Sequence, residues 1–393
     1  MLKQEAGKML ADQIIPFWKN LRDDVYGGYY GYVGYDLAID PKAEKGCILN
    51  SRILWFFSRC AKDLNRADCL EYADHAYKFL QTHCIDKEHG GVYWSVDYKG
   101  EPLDDSKHTY AQAFAVYALA AYYEASGERT ALDTACELFR LIEERCKDEN
   151  GYLEAFDRQF RPASNEKLSE NGVMAYRTMN TLLHVFEGCS ELYRVSHLDE
   201  VGNAMREILD IYRYKVYDPK LHRQEVFFDA DYNSLIDLHS YGHDIESSWL
   251  IDWGCGLLGD KELSESISEI NSQLAQNIFE TAYQDHSLVN ECERGKVDTT
   301  RIWWVQAEAV LGFVNQWQKH PDEIKYLKAA QDIFQFIQNV MTDKRSGSEW
   351  YWGVDANGRP DPNRPFVDPW KCPYHNGRMC LELIKRDPDA SRV

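Results

Sequence analysis

The chain has 393 residues, 44% of them hydrophobic and 27% charged, the composition of a globular protein with a large buried core. Its 44 lysines and arginines are outnumbered by 64 aspartates and glutamates, and a net charge of −20 argues against nucleic acid and anionic membranes as partners. No run of 18 apolar residues occurs, so no helix is expected to span a membrane.

The chain opens MLKQEAGKMLADQIIPFWKN, with acidic residues early and no continuous apolar segment, and is not expected to be a signal peptide. Eleven cysteines are scattered without a CxxC pair. Cys60, Cys136, Cys255 and Cys380 fall in helical patterns and are expected to be buried free thiols, which suits a cytoplasmic protein.

Six short segments look alike: GGYYGYV (27–33), GGVYWSVD (90–97), GYLEAFD (151–157), EVFFDAD (225–231), HSLVNE (286–291) and SEWYWGVD (348–355). Bulky and polar residues alternate in several, and Gly or Asp flanks them, as in strands of short hairpins. Their starts lie roughly 60 residues apart, with one gap nearer 74. Between them apolar residues recur at i, i+3, i+4 and i+7, predicting helices over 73–84, 109–127, 129–146, 172–196, 199–216 and 261–283, and further helices over 305–317 and 325–340. The unit is helix, hairpin, helix, and six units give about twelve helices. Such pairs bury their apolar faces only by stacking on neighbours. Segments such as FAVYALAAYY are apolar on two faces, which favours a closed ring over an open solenoid. The expected fold is all-α, a single (α/α)6 barrel with short β-hairpins, in one domain over 1–393.

Each unit places unusual side chains near the start of its inward helix: Arg52; His108 and Tyr110; Arg177, Asn180 and His184; His243 and Glu246; Arg301, Trp303, Trp304 and Glu308; Trp370 and His375. Six such placements converging on one mouth predict a site. Twenty-five tyrosines and eleven tryptophans suit a wet cleft for a polar, flat-faced ligand such as a sugar.

The richest stretch is HSYGHDIESSWL (239–250). A continuous helix would give His239, His243 and Glu246 metal-like spacing, but Gly242 weakens it and several arginines at the same mouth would repel a cation, so no metal is expected. The stronger expectation is that Glu246 fixes a ring nitrogen of His243, which exchanges protons with substrate. His375 enters from the last unit. Two imidazoles on opposite faces of a carbon invert it by removing and returning a proton, without a redox cofactor. At C2 of an open-chain sugar the intermediate is a cis-enediolate, and Arg52 is the natural clamp for its oxygen. Glycoside hydrolysis is the rival chemistry, with Glu246, Glu308 or Asp244 as its carboxyl pair. A non-catalytic sugar-binding ring is the bland alternative.

IIPFWKNLRDD (14–24), SRILWFFS (51–58), KHTYAQAFAVYAL (107–119), EAFDRQ (154–159), LSENG (168–172), TMNTLLH (178–184), DLHSYGHDIESSWL (237–250), RIWWVQAEAV (301–310) and WKCPYHNGRMC (370–380) follow one another in an order that closely resembles the N-acylglucosamine 2-epimerase superfamily, in its bacterial cellobiose 2-epimerase branch. The resemblance runs essentially end to end. It implies an (α/α)6 barrel that interconverts C2 epimers of the reducing-end sugar of cellobiose or lactose, with no cofactor. It implies His243 and His375 as the acid/base pair, Arg52 at the enediolate, and His184 and Asn180 on the ring and its C1 or C2 oxygens. His184 or His243 would assist ring opening. Glu246 and Glu308 would orient these groups, Tyr110 would hydrogen-bond substrate, and Trp304 and Trp370 would stack on sugar. N-acylglucosamine and mannobiose are the alternative substrates within the family.

Overall fold

Burial divides the helices into two kinds. The structure, a computed structural model, describes residues 2–389. Thr109–Ser126 buries fourteen of its eighteen residues, whereas Arg129–Arg145, the next helix, buries six of seventeen. The first is walled on both sides and the second faces solvent, as their sequence patterns require. Inner helices run Cys47–Asp63, Thr109–Ser126, Met179–Ser196, Tyr241–Leu258, Trp303–Lys319 and His375–Arg386. Each packs on the next, and the sixth packs back on the first, so the ring closes. The outer helices lie over 2–19, 67–84, 129–145, 199–216, 261–281 and 324–341, four of them containing a π turn. The outer helix at 2–19 packs on the sixth inner helix and completes the belt of outer helices. This is the expected (α/α)6 barrel.

Close approach of inner helices depends on glycine. A Cβ on Gly188 would lie 2.7 Å from the carbonyl oxygen of Ala113, and one on Gly312 would lie 2.5 Å from the side chain of Ile245.

Short hairpins precede the inner helices and set their register. The segments at 90, 151, 225, 286 and 348 all contribute strand residues, and the one at 27–33 forms only isolated bridges. A buried cation stands two residues ahead of several inner helices and pairs with an aspartate in the turn just after the preceding outer helix. Lys45 lies 2.6 Å from Asp23, Lys107 3.2 Å from Asp86, and Arg177 2.6 Å from Asp148. Buried amides complete the joint. Gln112 exchanges two hydrogen bonds with the backbone of Val92, and Gln306 does the same with Leu288. Each satisfies a hairpin N–H and C=O that burial would otherwise orphan.

One predicted boundary moves. The helix expected from 172 begins at Met179, because Arg177–Thr178 pair as a strand with Phe227–Phe228 and the Thr178 side chain caps the helix. All eleven cysteines are free; Cys60, Cys255 and Cys380 are buried as expected, and Cys136 is half-buried. Among the described residues no helix is long and apolar enough to cross a membrane.

Candidate active site

The hairpin end of the barrel opens into a cavity of about 830 Å³, a size typical of small-ligand sites. Arg52, Tyr110, Asn180, His184, His243, Glu246, Trp304, Trp370 and His375 line it, so nine of the ten expected site residues converge. The tenth, Glu308, is fully buried directly behind His375.

His243 and His375 sit on the fourth and sixth inner helices, with Trp304 of the fifth between them. The Trp304 ring lies 4.7 Å from the His243 ring and 5.5 Å from that of His375. Their backings differ. His375 Nδ1 lies 2.7 Å from Glu308 Oε1, whereas His243 Nδ1 lies 2.7 Å from the hydroxyl of Ser240. A third imidazole, His184, has Nδ1 2.8 Å from Glu187 Oε2. Burial lowers the pKa of all three. For His243, burial and the nearby His184 and His375 push it down to about 3, and His375 falls well below the ordinary value through burial and the charges of Arg378 and Arg52. At neutral pH each is a neutral ring able to accept a proton.

The expected bond from Glu246 to His243 does not form. Glu246 Oε1 instead accepts from Arg378 at 2.5 Å and lies 3.9 Å from His375 Nδ1. The guanidinium of Arg378 draws it away, and Ser240 takes the His243 nitrogen. Arg378 is the hub of this layer. It is 2% exposed and donates to Glu246, to Glu308 at 2.8 Å, and to Glu187 and the Tyr374 hydroxyl. One cation thereby positions the carboxylates behind both His184 and His375. Trp249 adds a 2.9 Å hydrogen bond to Glu308.

Three carboxylates around one guanidinium are not equally ionised. Burial works to raise Glu187, but Arg378 and His184 outweigh it and its pKa falls to about 2. Burial and the charge of Glu308 hold Glu246 well above the carboxylate range, and its Oε2 has no hydrogen-bond partner. Glu246, Glu308 and His375 have the donor atoms of a metal site within 4.8 Å of one another. Arg378 already supplies the cation they need, so the trio does not fit a metal ion.

Arg52 is the complementary case. Its guanidinium stacks 4.1 Å from the Phe114 centroid and donates to the Tyr110 hydroxyl at 2.6 Å, and among the described residues no carboxylate pairs with it. A buried cation without a counter-ion, facing a cavity, is built to receive negative charge. Asn180 Oδ1 is likewise buried without a partner.

Other candidates turn out to be structural. Arg177 belongs to the hairpin joint. Arg301 bonds Ser287 and the carbonyl of Thr299, and His108 packs on Trp94. His239 occupies the position of Lys45 and Lys107 in its own unit and pairs at 2.8 Å with Asp244. Asp244 also accepts from Gln224, which removes it as a carboxyl for hydrolysis. Glu187 and Arg378 were legible, because each stands three residues after a singled-out histidine and so shares its helical face. Ser240 also stands three residues from a histidine, His243, but ahead of the helix at a strand end, where helical spacing does not announce a contact.

A closed ring of paired helices around a cavity lined by three imidazoles is the architecture of an (α/α)6-barrel enzyme. The family model for N-acylglucosamine 2-epimerase (GlcNAc 2-epimerase) matches residues 7–376. The cellobiose 2-epimerase of Eubacterium cellulosolvens is 50% identical, covering 98% of this chain and 98% of its own. The crystal structure of a sugar epimerase from a ruminal bacterium matches with TM-score 0.97 and 48% identity, over 98% of this chain and 99% of that one. The cellobiose 2-epimerase of Bacillus thermoamylovorans B4167 matches with TM-score 0.95 and 45% identity over the same shares. The chain belongs to the N-acylglucosamine 2-epimerase family.

Proposed function

We propose that this chain, acting as one catalytic domain in the cytoplasm, reversibly epimerises the reducing-end sugar of β-1,4-linked disaccharides at C2. Cellobiose gives 4-O-β-D-glucosyl-D-mannose, and lactose gives epilactose. The similarity to cellobiose 2-epimerases supports the substrate class. The observation that carries the chemistry is the pair His243 and His375 flanking Trp304, beside an arginine with no carboxylate partner.

His184, backed by Glu187, assists ring opening. One of the pair, His243 or His375, then removes the C2 proton from the open-chain aldehyde. Negative charge moves to O1, where Arg52 and its partner Tyr110 receive it. The other imidazole, carrying a proton on its sugar-facing nitrogen, gives that proton to the opposite face of C2, and exchange with solvent resets the two rings. C2 loses and regains only a proton and ends at the oxidation level at which it began, so the route needs no redox cofactor. Glu308 holds a proton on Nδ1 of His375 and leaves Nε2 as the base. Trp304 and Trp370 stack on the sugars, and Asn180 holds a hydroxyl. Hydrolysis has less support: Glu246 and Glu308 converge on Arg378, and of the two only Glu246 reaches the cavity wall, so they do not form a carboxyl pair spanning a scissile bond.

Incubation with cellobiose, lactose, mannobiose and N-acetylmannosamine, with products resolved by chromatography, tests the reading. Glucosyl-mannose from cellobiose is expected. Free glucose would point to hydrolysis, turnover of N-acetylmannosamine alone would move the substrate class, and no change on any of them would sink the proposal.

A further inference from the structure

A serine directly ahead of a helix ordinarily caps it, its hydroxyl accepting from an N–H of the first turn. Thr178 does this for the third inner helix, accepting from the N–H of Thr181 at 3.0 Å. Ser240 holds the same place ahead of the fourth inner helix. It has the extended backbone of a cap, φ −85° and ψ 98°, yet its side chain receives no N–H of the helix. The hydroxyl lies 2.7 Å from His243 Nδ1 instead. Pairing of Leu238–Ser240 with Glu291–Glu293 fixes its backbone, and its side chain lines the cavity wall.

We propose that Ser240 is a positioning residue for His243: its hydroxyl occupies Nδ1, fixes the ring plane and leaves Nε2 as the nitrogen that meets the sugar. The inference rests on the proton-transfer role given to His243 above.

The hydroxyl does something the carboxylate behind His375 does not. A carboxylate only accepts, so it keeps a proton on Nδ1 of His375 and strengthens Nε2 as a base. A hydroxyl donates or accepts, so it follows His243 through both neutral tautomers and the imidazolium. The two imidazoles are thereby made unequal, His375 the stronger base and His243 the readier acid. Each turnover requires one proton taken and one returned, and either ring has to serve in both directions.

The test compares Ser240→Ala and Ser240→Thr with the wild type on cellobiose, reading kcat, KM, the pH profile and Tm. Ser240→Ala is expected to lower kcat about 10- to 100-fold, the usual scale for removing a partner that orients a reacting group. KM and Tm should stay near wild type, because no cap is lost. The acid limb should move to lower pH, since the imidazolium loses an acceptor, and Ser240→Thr should restore most of kcat. An unchanged kcat and pH profile in Ser240→Ala would overturn the inference. So would a loss that threonine does not rescue, or one that merely follows a fall in Tm. The 15N shifts of the His243 ring, measured without substrate, carry the claim independently of turnover. Loss of the Nδ1 hydrogen-bond signature in Ser240→Ala is expected, and identical shifts would overturn it. An inactive wild type with the expected shifts would count against the epimerase reading and leave the positioning role standing.

Discussion

The six inner helices carry polar groups at both ends, and the two ends use them in opposite ways. At the end away from the hairpins the groups satisfy one another. Glu124 accepts from Arg59 at 2.5 Å and from Arg194 at 2.8 Å, and Arg194 also reaches Glu191 at 2.8 Å. Asp252 collects Asn271, Asn315 and Lys319, each at 2.8 Å, and Arg386 closes on Asn315 at 2.9 Å. Cations there also complement the negative helix ends. At the hairpin end Arg52 Nε, Asn180 Oδ1 and Glu246 Oε2 are buried and unpaired around a cavity. One end is finished and the other is left incomplete where a ligand enters. Leaving buried polar atoms unpaired costs stability, so the contrast itself locates function.

His375→Asn should give the largest effect. Removing the base should lower kcat by about 10²–10⁴-fold while Tm hardly moves, because the variant loses a reacting group and not a joint. Near wild-type turnover would break the assignment of the hairpin end as catalytic. Arg378→Met should act on both stability and rate. Three buried carboxylates lose their shared cation, and breaking a buried pair costs about 3–5 kcal/mol, read as a lower urea midpoint. Its kcat should fall about 10- to 100-fold through misplaced His184 and His375. Unchanged kcat at normal stability would show that the layer beneath the cavity does not set the imidazoles. Arg194→Met sharpens the comparison from the other end. It should cost about 1–3 kcal/mol and leave kcat and KM at wild-type values. A kcat loss there would couple the sealed end to the chemistry.

The pH profile should show the smallest departure. A neutral imidazole is the competent base, and protonation silences it. Burial lowers His243 to about 3 and His375 well below its ordinary value of 6.5. The acid limb of kcat/KM should therefore bend well below pH 6.5. A bend at 6.5 would mean that the rings are more hydrated than the cavity geometry implies.

Much of this was legible before the fold was known. Helical periodicity and the sixfold spacing of hairpins are properties of local sequence, and they determine the ring. Unusual side chains near the inner-helix starts marked ten residues, nine of which line the cavity, because burial makes such choices costly. The pairings were harder to read. His239, His243 and Glu246 lie on one stretch, which suggested that they bond to one another. In space His239 belongs to the hairpin joint, His243 turns to Ser240, and Glu246 is drawn to Arg378, more than 130 positions away in the chain. Sequence neighbours define a helical face, but long-range charges decide which partner each side chain takes.

The central claim is that C2 loses and regains a proton between two imidazoles. Incubation with cellobiose in deuterated water, followed by NMR at C2, tests it most directly. The expected result is a mannose-type product with deuterium at C2, from the wild type but not from His375→Asn. Epimer formed with its original C2 hydrogen fully retained would contradict proton exchange with solvent-equilibrated imidazoles.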